Sequence, residues 1–309
     1  MEWLDLKHPD WPFEPTDCAL CLGNFDGVHR GHRSLIDELK RQNALREAPL
    51  PMGAILFRRP PSVVLRGTAV PQINTGEEKL ELLRDAGLRF VILCDFEDLK
   101  DMPPDEFVQK ILIESCRCRL AVCGFNYSYG AKGAGTPERL METFGSLPGH
   151  TLAVCPPFTD GVHTVSSSLI RKMLEDGHPE DAARMLGRPF FLTGTVFGGK
   201  QLGQKMGFPT ANLKFPENGL VPAHGVYLST VRIGRRTFTA ISNVGTRPTM
   251  ENTLEPNCET FIFNFKGNLY GKRLRVFLLR FLREEKKFDS LEALEAQIKQ
   301  DISRAKEYL

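Results

Sequence analysis

The sequence lacks a long apolar run, a net charge of one sign and a targeting pattern. No segment approaches the ~18 consecutive apolar residues of a spanning helix, so an integral membrane protein is not expected. Lys and Arg number 40 and Asp and Glu 38, a formal net charge of +2, which gives no electrostatic reason to expect a nucleic-acid or membrane partner. The first residues include Glu2 and Asp5 and lack the basic-then-apolar order of a signal peptide. We therefore expect a cytoplasmic protein.

The eight cysteines do not form a convincing zinc pattern. Cys18 and Cys21 are spaced C-x2-C, and Cys116 and Cys118 are spaced C-x-C. The first pair lies in or beside a predicted strand and the second follows a predicted helix, whereas a zinc site needs four ligands in tetrahedral reach. Buried free thiols are expected instead, without disulfides in a reducing compartment.

The first half of the chain alternates short apolar strands with helical segments. Strands are predicted at 19–22, 53–57, 90–94, 120–123 and 152–155, and helices at 33–45, 77–86 and 104–115. Such strands predict a parallel sheet that is covered on both faces, with ligands beyond the carboxyl ends of its strands. The fold class is therefore α/β in this half.

The second half is β-rich, with segments such as 225–231, 238–241 and 274–278 between Gly, Pro and Asn turns. Five or six strands in a hundred residues predict a small antiparallel barrel. Near the end, Asp289 and Glu292 resemble a capping box, and an apolar stripe predicts a terminal helix that packs on the barrel rather than on a partner. The stripe comprises Leu291, Leu294, Ile298, Ile302 and Ala305. The predicted domains are 1–186 and 187–309.

The segment 23–32, Gly-Asn-Phe-Asp-Gly-Val-His-Arg-Gly-His, joins the first predicted strand to a helix. Free backbone N–H groups and the helix dipole bind phosphate at such a place. His29 and His32 have a glycine between them, so both imidazoles can face a polyphosphate. This pattern indicates attack on the α-phosphate of a nucleoside triphosphate; the alternative is two polar loop histidines.

The segment resembles the nucleotidyltransferase signature of bacterial bifunctional riboflavin kinase/FAD synthetases. Three further segments match that family in the same order: 75–79, the loop 124–130, similar to G-F-D-F-x-F-G, and 165–171, similar to S-S-x-x-I-R. The resemblance implies a Rossmann-like domain that transfers adenylyl from ATP to FMN, with Mg²⁺ assisting. The residues implied are His29 and His32 as catalytic, Asn126 for flavin, and Gly23, Asn24, Phe25, Asp26, Gly27, Gly31, Ser167, Ser168 and Arg171 for ATP phosphates.

The serines of that last segment also suit phosphate binding without the family. Serines at a helix start can cap the helix and donate to phosphate, and Arg171, one turn in, adds a charge-assisted fork. The N-terminus of this helix and that of the helix after the first predicted strand would then hold the triphosphate from two sides. Plain capping with a surface arginine is the alternative.

Two departures from the family pattern concern flavin and adenine binding rather than the phosphate grip. The sequence after the second predicted strand is Phe-Arg-Arg-Pro-Pro at 57–61. Pro60 therefore stands where the family has histidine, and Asn126 stands where it has aspartate. These changes keep open the alternative of a riboflavin kinase with a weak or vestigial adenylyltransferase half.

The segment 194–200 approaches the P-loop pattern G-x4-G-K, but Gln201 stands where Ser or Thr would hold magnesium and no helix follows. The continuation through Gly203, Lys205 and Gly207 instead resembles the riboflavin kinase module, whose hallmark is G-F-P-T-A-N. Glycines would let the loop wrap phosphates and Lys205 would add a cation. The oxygens of Thr210 and Asn212 suit a magnesium ion that keeps several waters. Gln204 replaces a common arginine.

The strand at 258–265 resembles the family strand that carries the catalytic glutamate, which implies Glu259 as the base for the riboflavin 5′-hydroxyl. A lone carboxylate among apolar residues is costly unless it is used or paired; an outward-facing glutamate is the alternative. Segment 242–249 resembles the N-x-G-x-R-P-T loop near the substrates, implying Arg247 as a flavin contact. Segments 269–272 and 282–288 complete the match.

The leading hypothesis is therefore a two-step enzyme that makes FMN from riboflavin and ATP, and then FAD from FMN and ATP. Its expected partners are these small molecules and Mg²⁺, in a monomer or weak homo-oligomer. A flavin- or RNA-binding regulator on an inactive scaffold is a further alternative. The complete His29/His32 and Thr210/Asn212 pairs and Glu259 disfavour it, because a regulator need not keep them.

Overall fold

The protein was analysed as a computed structural model. It describes residues 1–6, 16–198, 208–248 and 254–308, except for the side chains of Trp3, Arg66, Arg247, Pro248 and Leu254. Contacts divide the chain into two compact units, Met1–Val70 with Gly76–Val165, and Pro71–Thr75 with Ser166–Leu309. Each unit contains one six-stranded sheet.

The sheet of the first unit is parallel throughout. Its strands are β1 (Glu2–Asp5), β2 (Cys18–Leu22), β3 (Met52–Phe57), β4 (Phe90–Cys94), β5 (Cys118–Gly124) and β6 (Thr151–Cys155). Their order is β1-β4-β3-β2-β5-β6. Every residue of β2 is buried, as expected for a sheet covered on both faces. After β2 the chain goes first to one side and later to the other, so the carboxyl end of β2 lies at a topological switch point, where ligands bind in such folds.

Helices lie between these strands, both at the three predicted positions and at positions that were not predicted. They are α1 (Arg30–Ala44), α2 (Pro61–Arg66), α3 (Gly76–Asp85), α4 (Phe96–Leu99), α5 (Pro104–Glu106, continued as a π-helix over Phe107–Ser115) and α6 (Pro137–Leu140, continued over Met141–Gly145). Helix α1 starts three residues before the predicted position at 33. Gly31 and His32 therefore belong to its first turn, while His29 is its N-cap.

The sheet of the second unit is antiparallel and curls into the predicted barrel. Its strands are β7 (Phe190–Thr195), β8 (Thr210–Lys214), β9 (Gly225–Ile233), β10 (Arg236–Pro248), β11 (Leu254–Ile262) and β12 (Arg273–Arg283), in the order β7-β12-β9-β10-β11-β8. The two edges meet where the Phe197 N–H donates to the Asn212 carbonyl oxygen at 3.0 Å. Gly194 permits this approach, because a Cβ there would lie 3.2 Å from the Lys214 carbonyl oxygen.

Three helices complete the described part of this unit: α7 (Ser167–Glu175), α8 (Pro179–Leu186) and α9 (Leu291–Lys306). Helix α8 packs against β7 and β12. Because α7 packs on α8 as well, the contact boundary lies between residues 165 and 166, before both helices, whereas the sequence-based boundary between residues 186 and 187 follows them.

Helix α9 packs on β10 and β12, as predicted. Its Ala305 is fully buried in a cluster with Val226, Leu228, Ile241 and Leu282. The predicted cap was wrong: Ser290 is the N-cap, and its hydroxyl accepts from the Ala293 N–H at 3.1 Å. Leu291 is 55% exposed, because the first turn projects beyond the cluster; the apolar stripe was therefore predicted one member too long.

The eight cysteines are all buried and unpaired. Burial raises the pKa of Cys94 and Cys123 to about 12 and that of Cys258 to about 11, which makes them unreactive thiols. In the described ranges, no group of three or more His, Cys, Asp or Glu side chains is arranged to hold a metal ion. Among those residues, no helix has the length and apolar character to cross a membrane.

Candidate functional sites

The loop after β2 is a strained turn held by burial. Phe25, Gly27 and Val28 all have left-handed backbone conformations, with φ of 51°, 80° and 39°. This region is unusual for a β-branched residue and costs roughly 1–3 kcal/mol. The side chains of Phe25 and Val28 are fully buried, so core packing stabilises the turn. Only the backbone of Phe25 can therefore make the contact with phosphate that the sequence analysis predicts.

The two histidines form a stacked pair at the N-terminus of α1. Their ring centroids lie 3.7 Å apart with an interplanar angle of 18°. Nδ1 of His29 accepts from the backbone N–H of His32 at 3.3 Å, which caps the helix. Gly31 leaves room for this arrangement, because a Cβ there would lie 3.1 Å from Cε1 of His29. A larger residue between the two histidines would therefore crowd the ring of His29.

Both imidazoles of the pair are built to act as neutral groups. An acceptor at Nδ1 of His29 places the proton of that ring on Nε2. Burial first, then the proximity of His29 and Lys79, hold the pKa of His32 well below its usual range. Nδ1 of His32 is buried and has no hydrogen-bond partner among the described residues. Since buried polar atoms are normally paired, this atom indicates a place for a ligand.

Lys79 is a partly buried lysine beside this loop, and the sequence analysis did not name it. Its Nζ donates to the carbonyl oxygen of Asn24 at 3.4 Å. Burial lowers the pKa of Lys79, and the nearby carboxylate of Asp26 opposes that change. Asp26 is itself buried, and its predicted contact with ATP stays a prediction. The matching segment 75–79 was the signal that could have identified the lysine.

The residues expected for flavin begin beside this loop. Leu22 of β2 is paired in register with Cys123 of β5, so the loop 124–130 starts next to Gly23. Asn126 is exposed there, as is Phe125, at 47%.

Arg58 and Arg59, which precede the departure at Pro60, follow β3 at the same edge of the sheet. Arg58 forms ion pairs with Asp5 and with Asp95, the latter at 3.6 Å. Pro60 is the N-cap of α2. The departure at Pro60 therefore lies at the start of a helix and leaves β3 intact.

Helix α7 carries the serine cluster of the second unit. The Ser166 hydroxyl accepts from the Leu169 N–H at 3.3 Å and is the cap. Ser167 and Ser168 follow in the first turn, and Nη2 of Arg171 donates to Oγ of Ser168 at 3.4 Å. Capping therefore falls to Ser166, while the joint phosphate grip of the two helix N-termini stays a prediction.

In the barrel, three strands bring polar residues side by side. Glu259 of β11 is in register with Asn212 of β8 on one side and with Asn243 of β10 on the other. Opposed residues of antiparallel strands have Cβ atoms about 4.5–5.5 Å apart and share a face. Thr210 shares that face, two residues before Asn212. Nδ2 of Asn257 donates to Oε1 of Glu259 at 3.3 Å. The register thus unites the predicted base with the predicted metal ligands.

The Asn212 side chain fits a hard cation. The residue is only 4% exposed, and its Oδ1 is buried without a hydrogen-bond partner in the described part of the chain. Amide and hydroxyl oxygens are ligands that Mg²⁺ accepts, with water and substrate phosphates completing the octahedron. The Phe208 and Phe261 rings, 5.3 Å apart and edge to face, pack the segment before Thr210 against β11.

Other predicted kinase residues lie outside the described residues: Gly203, Gln204, Lys205 and Gly207. Arg247 is described only in its backbone, which pairs with Glu255.

A cavity of about 400 Å³ in the second unit is lined by Glu175, Asp176, Ala223, His224, Phe281, Glu284 and Glu285. Its acidic lining disfavours ATP phosphates, so we assign it no part in nucleotide binding.

Comparison with known proteins gives matches over both units. The family described as "FAD synthetase" matches residues 12–169, and that described as "Riboflavin kinase" matches residues 186–309. A "Bifunctional riboflavin kinase/FMN adenylyltransferase" of Escherichia coli (strain K12) is 31% identical over 294 residues, which cover 94% of this chain and 92% of the relative. One from Bacillus subtilis (strain 168) is 29% identical, covering 100% of this chain and 98% of the relative.

A solved structure described as a macrolide-efflux protein from Streptococcus pneumoniae has a TM-score of 0.88 and 29% identity to this chain. The match covers 99% of both chains. The fold is therefore shared over the whole length.

Proposed function

The chain belongs to the family of bifunctional riboflavin kinases/FMN adenylyltransferases, and on that premise we propose how its residues divide the two reactions. The barrel phosphorylates riboflavin to FMN, and the α/β unit transfers adenylyl from ATP to FMN, releasing pyrophosphate. One observation carries the division. Among the described residues, each unit has a buried atom without a hydrogen-bond partner: Nδ1 of His32, predicted as catalytic, and Oδ1 of Asn212, predicted as a magnesium ligand.

In the adenylyl transfer, an FMN phosphate oxygen attacks the α-phosphorus of ATP and the bond to pyrophosphate breaks. No protein nucleophile is needed. The imidazoles of His29 and His32, with Lys79, would stabilise charge on the phosphate oxygens at the N-terminus of α1. The strained, buried turn keeps these donors in place before substrate arrives, so little reorganisation is required. Gly23, Asn24, Phe25 and Gly27 would contribute backbone groups.

Ser167, Ser168 and Arg171 are further proposed phosphate contacts, as the start of a helix provides N–H groups and a guanidinium provides a fork. We assign Asn126 to flavin, supported by its exposed position at the switch point of the sheet. Arg247 is proposed for flavin in the kinase half, on the family resemblance alone.

In the kinase step, Glu259 would accept the proton of the riboflavin 5′-hydroxyl while that oxygen forms a bond to the γ-phosphorus and ADP leaves. Asn257 orients the carboxylate through its amide. The position of Glu259 next to Asn212 supports this role, because the base must lie beside the nucleotide phosphates. Gly203, Lys205 and Gly207 are the proposed phosphate loop.

Thr210 and Asn212 would hold Mg²⁺, which in a phosphoryl transfer neutralises charge on the phosphate oxygens. The buried Oδ1 of Asn212, which has no hydrogen-bond partner among the residues that the structure describes, supports this assignment.

Domains of 1–186 and 187–309, a cytoplasmic location and a monomeric or weakly associating chain remain our proposals, and nucleic acid is not among the proposed partners. ATP as substrate favours the cytoplasm.

Chromatography of the products from riboflavin, ATP and Mg²⁺ tests the assignment. The full chain should give FMN first and FAD later. FMN without FAD would identify a kinase whose adenylyltransferase half is vestigial, and neither product would overturn both assignments.

A further inference from the structure

The carboxylate of Glu285 joins the segment after β12 to the antiparallel sheet of the second unit. Glu285 accepts at Oε1 from Nδ2 of Asn243, on β10, at 3.0 Å. Its Oε2 lies 3.9 Å from Nδ1 of His224, just before β9. The carboxylate of Glu285 therefore contacts the residue before β9 and a side chain of the neighbouring strand β10.

Gly245 provides the seat for this carboxylate. A Cβ at position 245 would lie 2.8 Å from the carboxyl carbon of Glu285, so the acid occupies the space that a side chain would fill. Gly245 is two residues from Asn243 and shares its face of β10. The Asn and the Gly of the N-x-G sequence at 243–245 thus both serve the Glu285 carboxylate: Asn243 donates to it, and Gly245 leaves room for it.

Helix α9 fixes the segment at its origin. Nε and Nη2 of Arg283 donate to the Asp301 carboxylate at 2.9 Å and 2.7 Å, and Gln297 donates to the same carboxylate at 3.0 Å. Asp301 is 5% exposed. Nη1 of Arg304 donates to the Leu282 carbonyl oxygen at 2.6 Å. The segment therefore leaves the sheet from a rigid point, and Glu285 is two residues beyond it.

Asn243 is the link from this carboxylate to the reacting groups. It lies in register with Glu259. Because its Nδ2 donates to Glu285, its Oδ1 is left to accept hydrogen bonds. A ribityl chain with its 5′-hydroxyl at Glu259 carries further hydroxyls on neighbouring carbons, and an acceptor beside the base can hold one of them.

We infer that Glu285 is a positioning residue of the kinase step, which fixes the Asn243 amide so that this amide aligns the ribityl chain of riboflavin. The inference rests on the proposed kinase site. It assigns Glu285 an effect on riboflavin and none on ATP, since Asn243 and Asn212, the proposed ligand of the Mg²⁺ that accompanies ATP, lie on opposite sides of Glu259.

Three variants of the full chain test this role: Glu285→Ala, Gly245→Ala and Glu285→Gln. The first removes the carboxylate, and the second displaces it while keeping its chemistry, since the clashing atoms end a flexible side chain. Both should lower kcat/KM for riboflavin about tenfold, the scale of one charge-assisted hydrogen bond. KM for ATP should stay unchanged. Glu285→Gln keeps an acceptor for Asn243 and should restore most of the activity.

Glu284→Ala is the matched control, an exposed glutamate in the same segment, and should behave like wild type. Adenylyl transfer from supplied FMN, measured in the same preparations, should be unaltered throughout. Wild-type kinetics in both Glu285→Ala and Gly245→Ala would overturn the inference, as would equal losses toward riboflavin and ATP. Wild-type protein that makes no FMN would instead overturn the kinase assignment beneath it.

Discussion

The two units build their candidate sites in different ways. In the α/β unit, most of the site lies in one continuous loop where a parallel strand ends and a helix begins. In the barrel, Asn212, Glu259 and Asn243 come from three strands and meet only through their register. The first site depends on backbone conformation and a helix N-terminus, whereas the second depends on pairing between distant segments.

The two sites are sensitive to different kinds of substitution. Gly31, Phe25 and Val28 act through conformation and packing, so a small steric change there moves the histidines. In the barrel, the strands are fixed by a long antiparallel ladder, so a substitution at Glu259 or Asn212 removes one function and leaves the frame. We expect the barrel site to tolerate isosteric changes that preserve hydrogen bonding.

The largest effect is expected from His29→Ala combined with His32→Ala. Loss of each donor to a developing phosphate charge costs on the order of 10² in rate, so FAD synthesis from FMN should fall by roughly 10⁴ while FMN formation continues. Timed product analysis measures both. His163→Ala, which removes an exposed histidine of the same unit, is the control. FAD formation by the double variant at the wild-type rate would remove the histidines from the mechanism.

Glu259→Gln should slow FMN formation by about 10² or more, the scale of a positioned base. The amide is isosteric and can still meet Asn257, so riboflavin and ATP binding should persist. FAD formation from supplied FMN should be unchanged, which is the internal control. Phosphorylation of riboflavin at the wild-type rate would show that another group takes the proton.

Asn212→Ala should shift the Mg²⁺ dependence of FMN formation to higher concentration by about tenfold, because one oxygen ligand is lost. A magnesium titration at fixed ATP measures the midpoint. Asn212→Asp retains an oxygen at the same place and should remain closer to wild type. An unchanged midpoint in the alanine variant would argue against the metal role.

The smallest effect concerns the pH dependence of stability in the first unit. The folded pKa of His32 lies well below its usual value near 6.5, so below about pH 6.5 the unfolded chain binds a proton that the folded chain does not. Stability should then fall by about 1.4 kcal/mol per pH unit as the pH decreases toward the folded pKa. Urea unfolding at pH 7.5, 6.5 and 5.5 measures this, with His32→Gln as the variant that should reduce the slope. The same slope in that variant would assign the effect to other groups.

The sequence predicted the parallel sheet and the barrel because strand periodicity and turn residues are local signals. It also identified the histidine loop, whose residues are contiguous. Lys79 was missed because its approach to Asn24 requires the packing of α3 beside the loop, a contact 55 positions apart. The sequence analysis predicted Asp289 as the N-cap of α9, whereas the N-cap is Ser290. Both residue types suit an N-cap, and only the backbone conformation decides which of the two takes that position. The meeting of Glu285 with Gly245 depends on how the segment after β12 packs on β10, and it could not be read from either segment alone.

The most direct test of two separate sites is complementation in solution. Riboflavin, ATP and Mg²⁺ are supplied to the Glu259→Gln protein, to the His29→Ala/His32→Ala protein and to an equal mixture of both. The account predicts that the first makes almost no FMN, the second accumulates FMN without FAD, and the mixture makes FAD, because FMN released by one barrel is used by the other protein's α/β unit. A mixture that makes no FAD, while Glu259→Gln still adenylylates supplied FMN, would contradict the account.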